Sequence, residues 1–311
     1  MSLDNKYYST DIIAHYTSLD NAIKILEANR LRLSLRSDSY DCIERMFGHD
    51  AYLTRSQERE NYDYAKSSEV HQVTRQIVEF YKGIKQACFC KTIRTNQYRK
   101  SIDDLSFLHT RMWEQYASCY KGICLLFSIE KIKCANPDCI FGDMQYKPLS
   151  FLTSIRLDEG IDIDQLRELG VEEYVPIRKK QIIEMAFEKS SEYREENEFR
   201  IMKLDCDCDH NDFIDISDSL VSVVYFPEYS RQRMYEEECK DKSCDYKTCK
   251  YKSFICKQMD FIKKSSEKQI EVLRLKPNVT GSISFETEEE HKFIESELES
   301  FIHSKELNIK C

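Results

Sequence analysis

Glycine is scarce in this chain, with seven in 311 residues, beside five prolines and a single tryptophan. So few glycines leave no Gly-x-Gly-x-x-Gly turn and no Gly-rich phosphate cradle, which excludes the Rossmann and P-loop signatures. Long apolar runs are missing as well: none approaches the roughly 18 residues that a membrane-crossing helix needs. Met1 to Thr10 is polar and holds no apolar leader segment. The expectation is a soluble, cytoplasmic protein without a membrane partner.

Positive charge is the other deficit. Lys and Arg number 46 against 55 Asp and Glu, a net charge of -9, which argues against a protein that wraps duplex nucleic acid non-specifically. Cysteine is abundant at 14 residues, yet short of the roughly 8 to 10% that marks a disulfide scaffold. Without a secretion signal, these cysteines read as buried, reduced thiols. Apolar residues at 41% and aromatics at 12% suffice for a core. The length suits one large domain plus an extension or two small domains, and the pattern is read as a main domain over 1–227 with a C-terminal extension over 228–311 that packs on it.

The stretch richest in chemistry-bearing side chains is Tyr193-Arg194-Glu195-Glu196-Asn197-Glu198-Phe199-Arg200-Ile201-Met202. Glu196 and Glu198 stand at i and i+2, which in an extended chain puts both carboxylates on one face and can hold an acid beside a base. The run before it, Pro176 to Ser191, predicts a helix with Ile182, Met185, Ala186 and Lys189 on one stripe. Phe199 to Met202 is rich in strand formers, so the glutamates are expected at a helix-to-strand junction, the kind of place that borders a cleft. A solvated Glu-rich helix end is the plain alternative.

From the N-terminus, Asp11 to Thr17 reads as a strand ending near His15, and Ser18 or Asp20 can cap a helix over Leu19 to Ala28. Leu31 to Leu35 alternates with period two, as a half-buried strand does. Val70, Val73, Ile77, Phe80 and Ile84 fall at helical spacing within Tyr64 to Lys85. Ala87-Cys88-Phe89-Cys90 reads as a short buried strand, and the polar, basic Lys91 to Asp104 as a lid or flap. Phe107 to Ala117 predicts a helix with Met112, Trp113 and Tyr116 on it; Trp113 is expected in the core. Gly122 then admits the apolar strand Ile123 to Phe127.

Taken in order, His15-Tyr16-Thr17-Ser18, Ile23 to Leu26, Leu31 to Ser34, Asp41 and Glu44, Cys88-Phe89-Cys90, Met112-Trp113, Tyr116-Ala117, Gly122 to Phe127, Glu196, Glu198 and Arg200 resemble the bacterial domain of unknown function 2971 family. The resemblance runs from about Tyr8 to Phe226. The chain departs from it at Tyr40-Asp41-Cys42-Ile43-Glu44, where the family usually has Asn-Asp-Pro-x-Glu, and at Cys88-Phe89-Cys90, where it often has Ser-Phe-Ser.

A first strand ending in His, a helix straight after it and a late strand entered by Glu-x-Glu are similar to the ADP-ribosyltransferase layout. That resemblance implies an α+β fold with a central, mostly antiparallel sheet flanked by helices, and NAD as substrate. It makes His15 the NAD-anchoring residue, Glu198 the catalytic carboxylate and Glu196 the group that orients the acceptor, a protein or a nucleic acid. Tyr40 and Tyr116 are candidates for stacking on the nicotinamide, and Tyr16 and Arg200 complete the expected cofactor-binding set. A role in bacterial defence or toxicity is the expected setting. The chemistry suits a carboxylate, because breaking the glycosidic C–N bond builds an oxocarbenium-like cation. Two other readings stand beside it: a ligand-binding or sensor module without catalysis, and a metal-dependent nuclease using Glu196, Glu198 and Asp205.

Asp205-Cys206-Asp207-Cys208-Asp209-His210 fails as a calcium loop, with His210 at position six and Ile216 at position twelve, and lacks a zinc knuckle. It reads as an acidic hairpin turn, and no metal is expected. Cys239, Cys244, Cys249 and Cys256 are spaced five, five and seven apart, which scatters them around a helix. Lys247 to Lys264 mixes lysines with Tyr251, Phe254 and Phe261, a pattern that suits either a single-stranded nucleic acid or a solvated helix face. Ile270 to Leu275 and Ser282 to Phe285 predict two strands, and Glu286 to His303 a terminal helix opened by a Thr287 to Glu290 capping box.

Overall fold

The computed structural model describes residues 5–39, 41, 44, 54–56, 64, 67–92, 105–152, 160–207, 209–227, 230, 250–277 and 283–287. Among them the strands are β1 (Ile12–Thr17), β2 (Arg30–Arg32), β3 (Ser34–Leu35), β4 (Thr54–Arg55), β5 (Lys85–Lys91), β6 (Ile123–Ser128), β7 (Ile140–Asp143), β8 (Gln145–Lys147), β9 (Ile161–Asp162), β10 (Glu188–Ser190), β11 (Glu198–Lys203), β12 (Phe213–Asp215), β13 (Leu220–Tyr225), β14 (Glu271–Pro277) and β15 (Ile283–Thr287). The helices are α1 (Leu19–Ala28), α2 (Ser68–Lys82), α3 (Thr110–Gln115), α4 (Ile129–Ala135), α5 (Ile163–Met185) and α6 (Lys250–Glu267). The class is the predicted one, mixed α+β with mostly antiparallel pairing and flanking helices. Among the described residues no helix is long and apolar enough to cross a membrane.

The chain divides into two compact units, Met1–Asn29 with Thr92–Lys131 and Ile216–Cys311, and Arg30–Lys91 with Ile132–Asp215. In the first unit the strands run in the order β15-β14-β13-β6-β1. All pair antiparallel except β13 with β14. Every residue of β6 is buried, as its unbroken apolar run requires. Ser18 caps α1 by accepting the Asn21 N–H, and Asn29 closes the helix in the left-handed region at φ 50. Gly122 is required where the chain enters β6, because a Cβ there would lie 2.1 Å from the Thr17 carbonyl oxygen. Trp113 is fully buried; its Nε1 donates to the Phe107 carbonyl at 2.8 Å, and its ring meets Tyr16 and Phe226 edge to face.

The lysine-rich helix α6 belongs to this unit and docks on α1. Lys257 pairs with Asp20 at 3.1 Å, Lys264 with Glu27 at 2.8 Å, and Lys268 donates to Asn29 Oδ1 at 3.0 Å. These lysines serve the helix–helix contact, which favours the helix-face reading of the stretch over a nucleic-acid surface. The predicted terminal helix does not begin at Glu286, since Glu286 and Thr287 close β15 opposite Arg274 and Leu273; its remainder lies outside the described residues.

In the second unit β5, β11 and β7 form an antiparallel sheet, with β3 paired to β5. Val70, Val73, Ile77 and Phe80 of α2 pack with Leu166, Tyr174, Val175 and Ile182 of α5 and with Met202 of β11. The helix predicted from Pro176 to Ser191 is displaced: α5 starts at Ile163, breaks at Gly170 (φ 73), carries Pro176 inside and ends at Met185. The chain leaves the helix because the Phe187 carbonyl accepts from the Gln145 N–H at 2.7 Å, and Glu188–Ser190 then pairs in parallel with β8.

The acidic turn after β11 has an internal organiser. Lys85 is buried, and its ammonium donates to the Asp207 carbonyl at 2.6 Å, to the Asp212 carboxylate at 2.8 Å and to the His210 carbonyl. A lysine thus holds the loop in the way a cation would.

Candidate functional site

Between α5 and β11 the chain makes a 3-10 helix, Ser191–Glu196, and one left-handed residue, Asn197 (φ 40, ψ 53). Asparagine tolerates that region, and its side chain is anchored by donating to the Lys91 carbonyl at 2.6 Å. The glutamates therefore do not sit on one continuous extended segment, although they still converge. Glu192, Arg194 and Glu195 point to solvent, while Glu196 and Glu198 are 3% and 5% exposed. The solvated-end alternative holds for the first three residues and fails for the pair.

Glu196 and Glu198 meet at Lys189. Its Nζ lies 2.7 Å from Glu196 Oε2 and 2.8 Å from Glu198 Oε2, and 4.6 Å from the centre of the Tyr193 ring. Arg200 takes the other oxygen: Nε at 2.8 Å and Nη2 at 2.6 Å both donate to Glu198 Oε1. Nη2 also reaches Glu44 Oε1 at 2.6 Å, and Nη1 donates to the Ala186 carbonyl at 2.7 Å. Ser39 donates to the second Glu44 oxygen at 2.5 Å, and the Glu198 N–H donates to the Tyr146 hydroxyl at 2.7 Å.

With Arg36, fully enclosed nearby, the site holds the carboxylates of Glu44, Glu196 and Glu198 against the cations Arg36, Lys189 and Arg200, all buried. Burial alone would neutralise a carboxylate here, yet Arg200, Arg36 and Lys189 outweigh it and hold Glu44 at about 2. Glu198 is likewise lowered, burial being overcome by Arg200 and Lys189. Burial pulls Lys189 and Arg200 down, and their carboxylate partners more than reverse it. Arg36 drops to about 10 through burial and the neighbouring Arg200 charge. At neutral pH Glu44, Glu198, Arg36, Lys189 and Arg200 are charged, and Glu198 is a fixed carboxylate.

Cys88 stands opposite Arg200 across the β5–β11 ladder and keeps a solvent-open surface. Its thiol is nonetheless pushed well above its ordinary range, first by loss of bulk water and then by Glu198.

The remaining predicted residues belong to other elements. His15 is half-buried on β1, opposite Leu125, in the first unit. Tyr16 lies in that unit's core, its hydroxyl donating to the Ser106 carbonyl at 2.8 Å. Tyr116 is half-buried at the C-terminal end of α3. Tyr40, Cys208, Cys239, Cys244 and Cys249 lie outside the described residues, as do positions 93–104 of the flap predicted over Lys91 to Asp104, whose first residue instead closes β5. The predicted acidic turn is centred on Lys85, and among the described residues no three His, Cys, Asp or Glu side chains gather as metal ligands. Lys189 occupies the space between Glu196 and Glu198 that a nuclease metal would need.

Sequence reasoning missed Lys189, which it assigned to a helix stripe, and Tyr146 and Arg36, which no motif marks. The signal for Lys189 was present: Glu188-Lys189-Ser190 is polar throughout and sits before the glutamates without an apolar partner of its own, which suits a side chain turned toward charge.

No curated protein and no solved structure matches the chain. Residues 112–201, which include Trp113, Lys189, Glu196, Glu198 and Arg200, match the family model described as Protein of unknown function (DUF2971), and so carry the pattern of the domain of unknown function 2971 family.

Proposed function

We propose that the chain is an NAD-using, ADP-ribosyltransferase-like enzyme in which Glu198 is the catalytic carboxylate. The observation that carries this reading is the grip on Glu198: one oxygen held by Arg200 at 2.8 and 2.6 Å, the other by Lys189 at 2.8 Å. A carboxylate already ionised and fixed needs no reorganisation when a ribosyl cation forms beside it. In the reaction the C–N bond of the donor breaks, nicotinamide leaves with the bonding pair, and a nucleophile of the acceptor bonds to the ribose carbon and gives up its proton. On this reading Glu196, tied to Glu198 through Lys189, orients that acceptor, a protein or a nucleic acid. The anchoring role that the resemblance implies for His15 is tested separately, by His15→Ala and the affinity for NAD.

The experiment is nicotinamide release from NAD by the wild type with Glu198→Gln alongside, over protein and nucleic-acid acceptors. Release that Glu198→Gln abolishes supports the reading; no release and no NAD binding ends it. A second reading, a binding or sensor module without catalysis, is favoured by the charge balance, since both glutamates already have cationic partners. It predicts ligand binding indifferent to Glu198→Gln.

A further inference from the structure

The first compact unit contains a cavity of about 330 Å³, within the size range of small-ligand sites. Three elements of that unit wall it. Helix α6 contributes Lys250, Ser253, Phe254 and Lys257, which recur at i, i+3, i+4 and i+7 and so share one face. Helix α1 contributes its cap Ser18 with Leu19 and Asp20, and the turn before β6 contributes Ser118 and Lys121.

These walls are held by contacts of their own. After α3 the chain passes through three successive left-handed residues, Ser118 (φ 50), Cys119 (φ 53) and Tyr120 (φ 67), and the N–H groups of Cys119 and Tyr120 return to the Glu114 and Trp113 carbonyls at 3.1 Å. The Tyr120 ring stands edge to face on Phe226, and its hydroxyl donates to the Thr110 carbonyl at 3.2 Å, which pins the turn carrying Ser118 and Lys121. Lys257 meets Asp20 at 3.1 Å and ties α6 to α1 at the cavity wall. A site built before its ligand arrives loses little ordering entropy on binding.

The lining selects the ligand. Among the described residues the ammonium groups of Lys121, Lys250 and Lys257 border the cavity against the single carboxylate of Asp20, in a chain whose net charge is -9. The hydroxyls of Ser18, Ser118 and Ser253 can each turn a donor inward. This excess of positive charge with hydroxyl donors suits the dianion of a phosphate monoester, whose terminal oxygens accept from both. Leu19 and the half-buried Phe254 ring add an apolar part, which suits a small organic body on the phosphate. A nucleic-acid strand would instead need a continuous basic groove with successive stacking rings.

We propose that this cavity binds a small phosphate monoester, with Lys121, Lys250 and the serine hydroxyls meeting the phosphate and a ring-sized apolar body resting on Phe254 and Leu19. The proposal stands independently of the transferase reading, since Glu198 and its partners belong to the other compact unit.

Calorimetry with phenyl phosphate on the full chain tests it. Phenyl phosphate should bind, inorganic phosphate should bind more weakly for want of the ring, and benzenesulfonate, a fixed monoanion, more weakly for want of charge. Phenyl phosphate should lose affinity as the pH falls through about 6, where the dianion takes up a proton, and benzenesulfonate should not. Lys250→Gln and Lys121→Gln should each weaken phenyl phosphate about three- to fivefold, while Lys264→Gln, which removes an exposed α6 lysine outside the cavity, should leave it unchanged. No binding at about 10 mM, an affinity no better than that of inorganic phosphate, or equal effects of Lys250→Gln and Lys264→Gln overturns the site. Should Lys121→Gln fail to fold, Lys250, exposed at the start of α6, still gives the comparison with Lys264. A phosphotyrosyl peptide that binds more tightly than phenyl phosphate overturns the small-molecule assignment in favour of a protein partner.

Discussion

Arg200 holds a single oxygen of Glu198 with two of its nitrogens, at 2.8 and 2.6 Å, and leaves the other oxygen to Lys189. Both residues are buried, on the same strand and two positions apart, so the pair shares one face of β11. Removing one member of such a pair strands the other charge in a place that water does not reach. Arg200→Met should destabilise the protein by about 3 to 5 kcal/mol. Arg200→Lys, which keeps the charge and loses the two-nitrogen grip, should recover only part of it. Urea denaturation of the three proteins checks this, and equal stability of Arg200→Met and wild type would contradict the network.

Catalysis is probed by charge alone. Glu198→Gln keeps the size of the side chain and removes its negative charge, so NAD binding should persist while nicotinamide release falls by about a hundredfold or more. Calorimetry and a release assay on the same preparation separate the two effects. A fall in binding that matches the fall in turnover would point to a lost binding contact instead.

Acid should weaken the protein in a defined window. Glu44 sits at about 2 when folded against an ordinary 4.5, so its contribution to stability is complete above 4.5 and is lost as the pH falls toward 2. Glu198 shifts in the same direction and adds to the decline. Denaturation midpoints should therefore change little on this account from pH 7 to 5 and then drop. Glu44→Gln should flatten the drop, and an unaltered acid limb in that variant would show that Glu44 is not paired.

Trp113 fills the first unit's core with its indole N–H satisfied by Phe107, so Trp113→Ala should cost about 3 to 5 kcal/mol. A loss well under about 1 kcal/mol would mean that the ring is not enclosed.

Lys85 offers a local counterpart. Lys85→Met leaves the Asp207 and His210 carbonyls and the Asp212 carboxylate without their ammonium, and amide exchange over 205–212 should accelerate more than elsewhere in the chain. Uniform acceleration would mean global destabilisation rather than release of the loop.

Much of the fold was legible in the order of residues because short-range physics decides it. The period of Val70, Val73, Ile77 and Phe80 made α2, the unbroken apolar run from Ile123 made β6, and Ser18 capped α1 as its side chain allows. The pair Glu196 and Glu198 was also visible as a pair. The apolar and charged stripe after Pro176 misled, because the helix it suggested ends at Met185 once Phe187 is captured by Gln145, a contact 42 positions away along the chain.

By itself the sequence determined the mixed class, the strands and helices with strong periodicity, the core place of Trp113 and the candidacy of the two glutamates. Only the tertiary structure decided their electrostatic state. Glu44 lies more than 150 positions from Arg200, as the contact between them spans 156, and Lys189 reaches Glu198 from a separate strand. Spacing along a chain cannot say which cation will stand beside a carboxylate when the intervening residues fold between them, and at a buried site the partner's charge decides whether the carboxylate is ionised.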